Sequence, residues 1–285
     1  MHKEYVAAGS NIITSSSYQV SYDQFQRVRN FDKEQTNELL RTSLNLARQA
    51  VNIKVEDEKP LVAGSIGCYG AHLADGSEYN GGYGFSMSAN NLRDWHQDKF
   101  DFIVSELQHS DILAFETIPC INEVKAASSL LQSLHKPIDR FYLSFSFHSF
   151  YSFYSWISLA CRSSEELNSG ERVKDAIRII DEMTPTNVGV GCNCCDPMEV
   201  EALIHQFREC ISRNRLVVVY PNGGGRWDSN QGGVVPGSGM SDEVMAGLTV
   251  GWVESGADIV GGCCGTTPDT IRRVGAAIRD KRGSG

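Results

Sequence analysis

The sequence has no excess of positive charge. Its 285 residues contain 26 lysines and arginines against 35 aspartates and glutamates, which gives a formal net charge of −9 when histidine is neutral. An acidic protein binds a nucleic-acid backbone or an anionic membrane surface poorly, but it tolerates a cationic substrate. We therefore expect small-molecule partners, and neither nucleic acid nor a membrane.

A secretory signal and a convincing membrane-spanning run are also lacking. No basic region leads into an apolar stretch at the N-terminus. The segment 141–161 has no Asp, Glu, Lys or Arg, but six serines and His148 interrupt it. Because a segment this polar partitions poorly into a bilayer, we do not expect it to span a membrane. Without a secretory signal, we expect a cytoplasmic protein.

The nine cysteines lack the pattern of a disulfide framework. Their number is odd, Cys192, Cys194 and Cys195 crowd together, and Cys263 is adjacent to Cys264. In a reducing compartment, clustered cysteines are more often metal ligands or catalytic thiols than disulfide partners. The two clusters are therefore candidates for chemistry.

The composition is neither collagen-like nor typical of a disordered chain or a coiled coil. Hydrophobic residues make up 41% and charged residues 21%, which is ordinary for a globular protein with a buried core. The length suits one α/β barrel or two modest domains, and no linker divides the chain. We expect one domain over residues 1–285.

Short apolar or β-branched runs alternate with longer helical patterns, which is typical of repeated βα units around a parallel sheet. The seven predicted strands are 11–16, 61–66, 111–116, 156–161, 187–193, 216–220 and 258–262. A closed parallel barrel of this kind needs eight strands.

Two similar segments of the sequence, around Gly9 and Gly256, bear on the number of strands. Gly9 and Gly256 each stand where a helical pattern ends and a strand pattern begins. The chain is therefore expected to open with the end of a helix whose strand lies outside this sequence. We predict an α/β fold of the TIM (β/α)8 type that lacks its first strand. The alternative is an open doubly wound sheet, although no Gly-x-Gly-x-x-Gly turn supports it.

Reactive side chains recur where the predicted strands end, which is where TIM barrels carry their active sites. These residues are Glu116, Thr117, Asn193, Cys194, Cys195, Asn222, Cys263 and Cys264. Three thiolates from two neighbouring strands can hold Zn²⁺ with a fourth position open, as in a catalytic site. Cysteine also packs simply as a small hydrophobe, and spacing alone leaves zinc and packing open.

Several motifs, in the same order, resemble those of the homocysteine S-methyltransferase family. They are Ile13-Thr14-Ser15-Ser16-Ser17-Tyr18-Gln19, Phe115-Glu116-Thr117-Ile118-Pro119, Gly191-Cys192-Asn193-Cys194, Val219-Tyr220-Pro221-Asn222-Gly223-Gly224 and Gly261-Gly262-Cys263-Cys264-Gly265-Thr266. Two further motifs, Gly64-Ser65-Ile66-Gly67-Cys68-Tyr69-Gly70-Ala71 and Asp75-Gly76-Ser77-Glu78-Tyr79, are similar to the branch that uses S-methylmethionine or S-adenosylmethionine. The resemblance covers nearly the whole chain except 138–155.

The resemblance implies a zinc-dependent transfer of a methyl group from a sulfonium donor to the thiol of homocysteine, giving methionine. It implies Cys194, Cys263 and Cys264 as the zinc ligands, with Cys192 and Cys195 as neighbours only. This activity belongs to methionine biosynthesis. Homocysteine and S-methylmethionine or S-adenosylmethionine are the expected small-molecule partners.

Roles for other side chains are expected from their residue types and positions, and the resemblance supports that of Glu116. Glu116 and Asn222 are the candidate catalytic residues, and Tyr18, Glu116 and Asn193 the candidate substrate-binding residues. Glu116 would pair with the substrate ammonium; otherwise it is a rim carboxylate bonded to backbone donors. Asn222 either bonds substrate or caps the following turn. Tyr18, Tyr69 and Tyr79 either cradle the sulfonium by a cation–π contact or pack. The seven histidines show no ligand spacing and are expected on solvated faces.

Two features depart from the family pattern. The opening strand with an Asp-Gly-Gly turn has no counterpart in this sequence, and 138–155 reads as an atypical insertion. Nine of the sixteen residues in 141–156 are aromatic, against 9% in the whole chain. A retained intron or mistaken gene model explains this better than a surrogate strand or partner-binding loop, because an exposed aromatic patch promotes aggregation.

Two alternatives to the methyltransferase remain from the sequence. One is a truncated, non-catalytic zinc-binding isoform of the same family. The other is a thiol redox protein, whose activity would survive chelators and be abolished by oxidants.

Overall fold

The computed structural model describes residues 1–53, 59–108, 110–134, 154–212, 214–225, 227–228, 233–235 and 237–283. Its main sheet has seven parallel strands. They are β1 (Ile12–Thr14), β2 (Leu61–Gly67), β3 (Ile112–Ile118), β4 (Tyr154–Leu159), β5 (Val188–Asn193), β6 (Val217–Tyr220) and β9 (Ile259–Val260). Two further strands, β7 (Trp227–Asp228) and β8 (Gly233–Val234), form a separate antiparallel pair.

Helices connect these strands. They are α1 (His2–Ala7), α2 (Tyr22–Arg29), α3 (Lys33–Val51), α4 (Tyr69–Leu73), α5 (Ala89–Glu106), α6 (Ile121–Ser133), α7 (Val173–Met183), α8 (Val200–Cys210), α9 (Asp242–Glu254) and α10 (Pro268–Gly283). Within the described ranges, short 3₁₀ helices span Ser77–Tyr79, Gly82–Phe85 and Pro197–Glu199. The predicted alternation of strands and helices is confirmed.

The strands of the main sheet lie in chain order, from β1 through β6 to β9, and every neighbouring pair is parallel. A doubly wound sheet would reverse its strand order at a switch point. No reversal occurs among these seven strands, so the open doubly wound alternative is wrong.

The two faces of the sheet pack differently. One face, with side chains such as Leu113 and Val190, packs against the helices in the main hydrophobic cluster. The other face forms a second cluster in which Ile12 of β1 and Ile259 of β9 pack against the same buried core as Ala114 and Trp156. Since the first and last strands contribute to one interior cluster, the sheet curls on itself as in a barrel.

In the sequence, Asp196 and Thr267 each stand directly before a proline, which predicts a helix start with a capping side chain at both positions. The structure confirms both helix starts. The Asp196 side chain accepts the Met198 N–H, with Pro197 at the first helical position, and the Thr267 hydroxyl accepts the Thr270 N–H ahead of α10. These caps fix where the helix after β5 and the helix after β9 begin. Each loop that carries a cysteine cluster therefore runs from the end of a strand to a capped helix start.

A cleft of about 530 Å³ lies between the two edge strands of the curled sheet. Residues of β1, such as Ile12 and Thr14, line one side, and Ile259 and Val260 of β9 line the other. Among the described residues, no strand pairs with the outer edge of β1 or of β9.

The segment 138–155 falls almost entirely outside the described residues. Only its last two residues are described, and they begin β4, which starts at Tyr154 rather than at the predicted Trp156. Within the described ranges, the structure contains no helix long and apolar enough to cross a bilayer.

Arg215 anchors the start of β6 and provides a test of the fold. Its side chain is 3% exposed and donates to the backbone carbonyls of Asp181, Thr184, Pro185 and Val188. We expect Arg215→Lys to lower the free energy of unfolding by about 1 to 3 kcal/mol, because a single ammonium cannot reach all of these buried acceptors.

Urea denaturation measures this difference, and Arg178→Lys is the matched control. Arg178 forms an ion pair with Asp175 on the surface, with its side chain 60% exposed. We expect the control to change stability by less than about 0.5 kcal/mol. Equal effects of the two substitutions would contradict the anchoring role of Arg215.

Candidate metal centre and substrate pocket

Cys194, Cys263 and Cys264 come together where β5 and β9 end. The Sγ atoms of Cys194 and Cys264 are 3.6 Å apart, those of Cys263 and Cys264 are 3.9 Å apart, and all three lie within 4.8 Å of one another. Tetrahedral Zn²⁺ with Zn–S bonds near 2.3 Å holds its sulfurs about 3.8 Å apart. Two of the three sulfur–sulfur distances therefore match the spacing around a single zinc ion.

Backbone hydrogen bonds hold the two cysteine loops against the loop after β6. The Cys194 N–H donates to the Tyr220 carbonyl, the Cys263 N–H to the Pro221 carbonyl, and the Gly223 N–H to the Cys264 carbonyl. Cys194 itself has φ of +53°, a conformation that costs a non-glycine residue free energy. Strain of this kind is typical of functional sites, and here it accompanies the approach of Cys194 to the Cys263–Cys264 pair.

Hydrogen bonds among the three thiols shift the pKa values of Cys194 and Cys264 in opposite directions. The pKa of Cys264 is lowered to about 3, because its thiolate accepts hydrogen bonds from the Cys194 and Cys263 thiols. The pKa of Cys194 is raised by its hydrogen bonds to Cys263 and Cys264. Three sulfur atoms, one of them already a thiolate, form the kind of ligand set that a soft divalent cation prefers.

Glu116 lies at the end of β3 and is only 7% exposed. Its carboxylate accepts hydrogen bonds from the hydroxyls of Ser65 and Tyr220, and the Lys99 ammonium lies nearby. Burial raises the pKa of Glu116, while these donors and the Lys99 charge oppose the shift. Side-chain donors therefore hold Glu116, and the expected alternative of a carboxylate bonded to backbone donors does not match the structure.

Asn193 links the ends of β3 and β5. Its amide oxygen accepts the Thr117 N–H at 2.8 Å, and its amide nitrogen donates to the Thr117 hydroxyl at 2.8 Å. Thr117 has φ of +60°, which favours glycine, so the two hydrogen bonds offset an unfavourable backbone conformation. The same nitrogen lies 4.0 Å from the Cys263 sulfur. Asn193 thus joins the loop of Glu116 to the thiol cluster.

Tyr18 faces the same region from the loop after β1. Its hydroxyl lies 3.9 Å from the Cys68 sulfur and also bonds with the Thr117 side chain. Burial raises its pKa, and the charges of Cys68 and Cys194 contribute. A Cβ on Gly67 would lie 2.6 Å from the Tyr18 ring, so glycine is needed where β2 passes under it.

Asn222 lies half-buried in the loop after β6. Its side-chain oxygen accepts the Gly224 N–H at 2.8 Å, and its own N–H donates to the Cys195 carbonyl. The side chain therefore caps the turn that follows it, as one of the two expected roles requires.

A family model described as homocysteine S-methyltransferase matches residues 1–278. The chain belongs to this family. It is 35% identical to homocysteine S-methyltransferase 1 of Zea mays over 292 residues, covering 99% of this chain and 84% of the maize protein. It is 32% identical to a selenocysteine Se-methyltransferase of Brassica oleracea var. italica, covering 99% of this chain and 79% of that protein.

A solved structure is also similar. The metallated form of the homocysteine methyltransferase MmuM from Escherichia coli superimposes with a TM-score of 0.76 at 28% identity, covering 96% of this chain and 82% of that one. The predicted membership of the homocysteine S-methyltransferase family is thereby confirmed.

The sequence analysis did not identify Lys99, a residue of α5 that supports the site. It is 4% exposed, and its ammonium donates to the Ser17 carbonyl at 2.8 Å and the Tyr18 carbonyl at 3.0 Å. Burial lowers its pKa to about 7, although the Glu116 charge opposes the shift. The sequence signal was a lysine on the apolar stripe that Phe100 and Ile103 continue along α5.

His96 differs from the sequence analysis, whereas Cys192 and Cys195 lie outside the thiol cluster, as the resemblance implies. The expectation that all histidines are solvated is wrong for His96, which is fully buried and bonds the Glu123 carboxylate at 2.7 Å. Cys192 and Cys195 have Cys-x-x-Cys spacing, so the interpretation that no such pair is present is wrong. Both lie in the main hydrophobic core, at 0% and 2% exposure, while the thiol cluster is formed by Cys194, Cys263 and Cys264.

Proposed function

We propose that the protein transfers a methyl group from a sulfonium donor, S-methylmethionine or S-adenosylmethionine, to the thiol of homocysteine, giving methionine. The observation that carries this proposal is the approach of Cys194, Cys263 and Cys264 to within 4.8 Å at the end of the sheet where Glu116 is buried. The site thus combines sulfur ligands for a metal with a carboxylate for a cationic substrate group.

The proposed cofactor is one Zn²⁺ held by these three sulfurs. When bound, zinc supplies the positive charge that favours loss of the proton from a substrate thiol at neutral pH. The ordinary pKa of a free thiol is about 8.5, so an unassisted homocysteine would be mostly protonated and weakly nucleophilic.

Glu116 is proposed to bind the ammonium of homocysteine. Its carboxylate is buried, so an ammonium that pairs with it gains a charge-assisted hydrogen bond that water does not weaken. The hydroxyls of Ser65 and Tyr220 fix the carboxylate orientation. Asn193 holds the adjacent Thr117 backbone, so it positions the Glu116 loop against the thiol cluster.

The transfer step needs little proton chemistry from the protein. The homocysteine sulfur attacks the methyl carbon, the carbon–sulfonium bond breaks, and the electron pair of that bond leaves with the donor sulfur as a neutral thioether. The reaction therefore depends on holding the reacting atoms in line at roughly 3 to 3.5 Å. Tyr18, Asn222 and the backbone of the three loops are proposed to shape the space in which this alignment occurs.

We also propose that the sheet provides seven strands of a (β/α)8 barrel within a single domain. Its eighth strand would lie in the cleft between β1 and β9, where both outer edges are unpaired among the described residues. A reducing compartment such as the cytoplasm is proposed because the structure describes all nine cysteines as free thiols.

Transfer of a trideuteromethyl group tests the function directly. Zinc-loaded protein is incubated with homocysteine and S-methylmethionine or S-adenosylmethionine labelled on the transferred methyl, and methionine is measured by mass spectrometry. We expect labelled methionine, its loss on zinc removal and its return on zinc addition. The relative rates with the two donors identify the preferred one.

The alternatives give different outcomes in the same assay. Folded, zinc-loaded protein without any transfer would contradict the proposal and leave the non-catalytic isoform. A thiol redox activity that survives chelation and is abolished by oxidants would point to the third class. Substituting selenocysteine for homocysteine in the assay shows whether the acceptor site accepts selenium.

A further inference from the structure

Glu78 lies in the connection between β2 and α5, within the short 3₁₀ helix Ser77–Tyr79. Its side chain is half-buried, and the Oε2 atom is buried without any hydrogen-bond partner. A buried carboxylate oxygen without a donor is unusual in native proteins and indicates an absent ligand, ion or water.

The backbone around Glu78 is held firmly. The Asn168 amide donates to the Glu78 carbonyl at 2.9 Å, and the Asp75 carboxylate accepts the Ser77 N–H at 2.9 Å. A Cβ on Gly70 would lie 2.5 Å from the Glu78 nitrogen, so the turn rests directly on α4. The unpartnered carboxylate is therefore a feature of a fixed turn rather than of a free loop end.

The turn lies at the end of the sheet that carries the thiol cluster, since a Cβ on Gly81 would lie 2.9 Å from the Pro119 carbonyl oxygen directly after β3. Burial raises the pKa of Glu78, and the charges of Asp75 and Cys264 raise it further. Burial also raises the pKa of Tyr79 to about 12, with contributions from the charges of Cys194, Cys264 and Cys263. The Tyr79 side chain remains 58% exposed, so its ring is accessible at the mouth of the site.

We propose that Glu78 binds the positive charge of the sulfonium methyl donor and, with Tyr79, distinguishes the donor from its neutral thioether product. This inference rests on the proposed function. During transfer the methyl carbon lies between the donor sulfur and the homocysteine sulfur. The positive charge of the donor must therefore lie beside the thiol cluster. Glu78 supplies the carboxylate there, and the Tyr79 ring supplies a cation–π surface.

The chemistry fixes which kinetic constant Glu78 controls. The sulfonium loses its positive charge as the methyl group leaves, so a carboxylate beside it stabilises the bound donor more than the transition state. Such an interaction lowers KM without raising kcat. Glu78 does not retain the product, because the sulfur of methionine carries no positive charge for the carboxylate to attract. Product release is therefore favoured.

Glu78→Gln tests this assignment, with Asp75→Asn as the matched control in the same turn. Asp75 is exposed, and asparagine keeps an oxygen to accept the Ser77 N–H. For Glu78→Gln we expect a KM for S-methylmethionine raised about tenfold, equal to about 1.4 kcal/mol. The kcat, the KM for homocysteine and the zinc content should change less than about threefold, and Asp75→Asn should leave all of them within about twofold.

Calorimetric binding separates recognition of the sulfonium from other roles. S-methylmethionine and methionine share the ammonium and the carboxylate but differ in the charge on sulfur. We expect Glu78→Gln to weaken binding of S-methylmethionine about tenfold and that of methionine less than about twofold. Equal weakening of both ligands, or none, would overturn the inference, whereas absence of methyl transfer by the wild-type protein would instead overturn the proposed function.

Discussion

Replacing Cys264 by serine is expected to reduce zinc content and methyl transfer together, each by at least about 100-fold in affinity or rate. Cys264 is the sulfur that both Cys194 and Cys263 approach, at 3.6 and 3.9 Å. Serine has almost the same size, but its hydroxyl is a poor ligand for a soft cation. Metal analysis and the labelled-methyl assay measure the two losses on one preparation.

Cys210→Ser is the matched control for this substitution. Cys210 is half-buried in α8 and lies outside the group of three thiols that could hold a metal. We expect it to keep full zinc content and activity. Turnover that survives in Cys264→Ser after its zinc is gone would mean that the metal has no part in the reaction.

Replacing Glu116 by glutamine is expected to lower kcat/KM for homocysteine by about 100-fold, because an ammonium would then be buried without a counter-charge. Glutamine keeps the shape of the side chain and can still accept from the hydroxyls of Ser65 and Tyr220. Zinc content should remain unchanged, since Glu116 is not among the grouped sulfur ligands. Steady-state kinetics with homocysteine as the varied substrate give the value.

A substrate without the amino group shows whether the loss reflects the ammonium. With 4-mercaptobutanoate in place of homocysteine, the wild-type enzyme should lose about as much kcat/KM as Glu116→Gln loses with homocysteine. The Glu116→Gln variant should discriminate little between the two thiols. A variant that still prefers homocysteine by about 100-fold would show that another group binds the ammonium.

The order of elements could be predicted from the sequence because it depends on local patterns. Alternating apolar runs and helical periodicity predicted all seven strands of the main sheet, with ends shifted by at most two residues, as between 258–262 and Ile259–Val260. The cap at Asp196-Pro197 was predicted for the same reason, since its partners are two residues apart. Strand ends in a parallel barrel also predict a shared site, which brought Cys194 and Cys263 together.

What the sequence did not show depends on contacts between distant elements. Lys99 reaches carbonyls 81 and 82 residues away, and nothing local distinguishes it from a solvated lysine except its place on an apolar stripe. His96 is buried where its ring nitrogen forms a hydrogen bond with Glu123, 27 residues further on. The orphaned oxygen of Glu78 is likewise a property of the folded turn.

X-ray absorption at the zinc edge, on the purified protein and on Cys264→Ser, tests most directly whether three sulfurs hold one zinc ion. We expect one zinc per chain with three sulfur neighbours near 2.3 Å in the wild-type protein, and a lower sulfur count with reduced zinc in the variant. A zinc site with fewer than two sulfurs, or a sulfur count that Cys264→Ser leaves unchanged, would contradict the assignment of Cys194, Cys263 and Cys264 as the ligands.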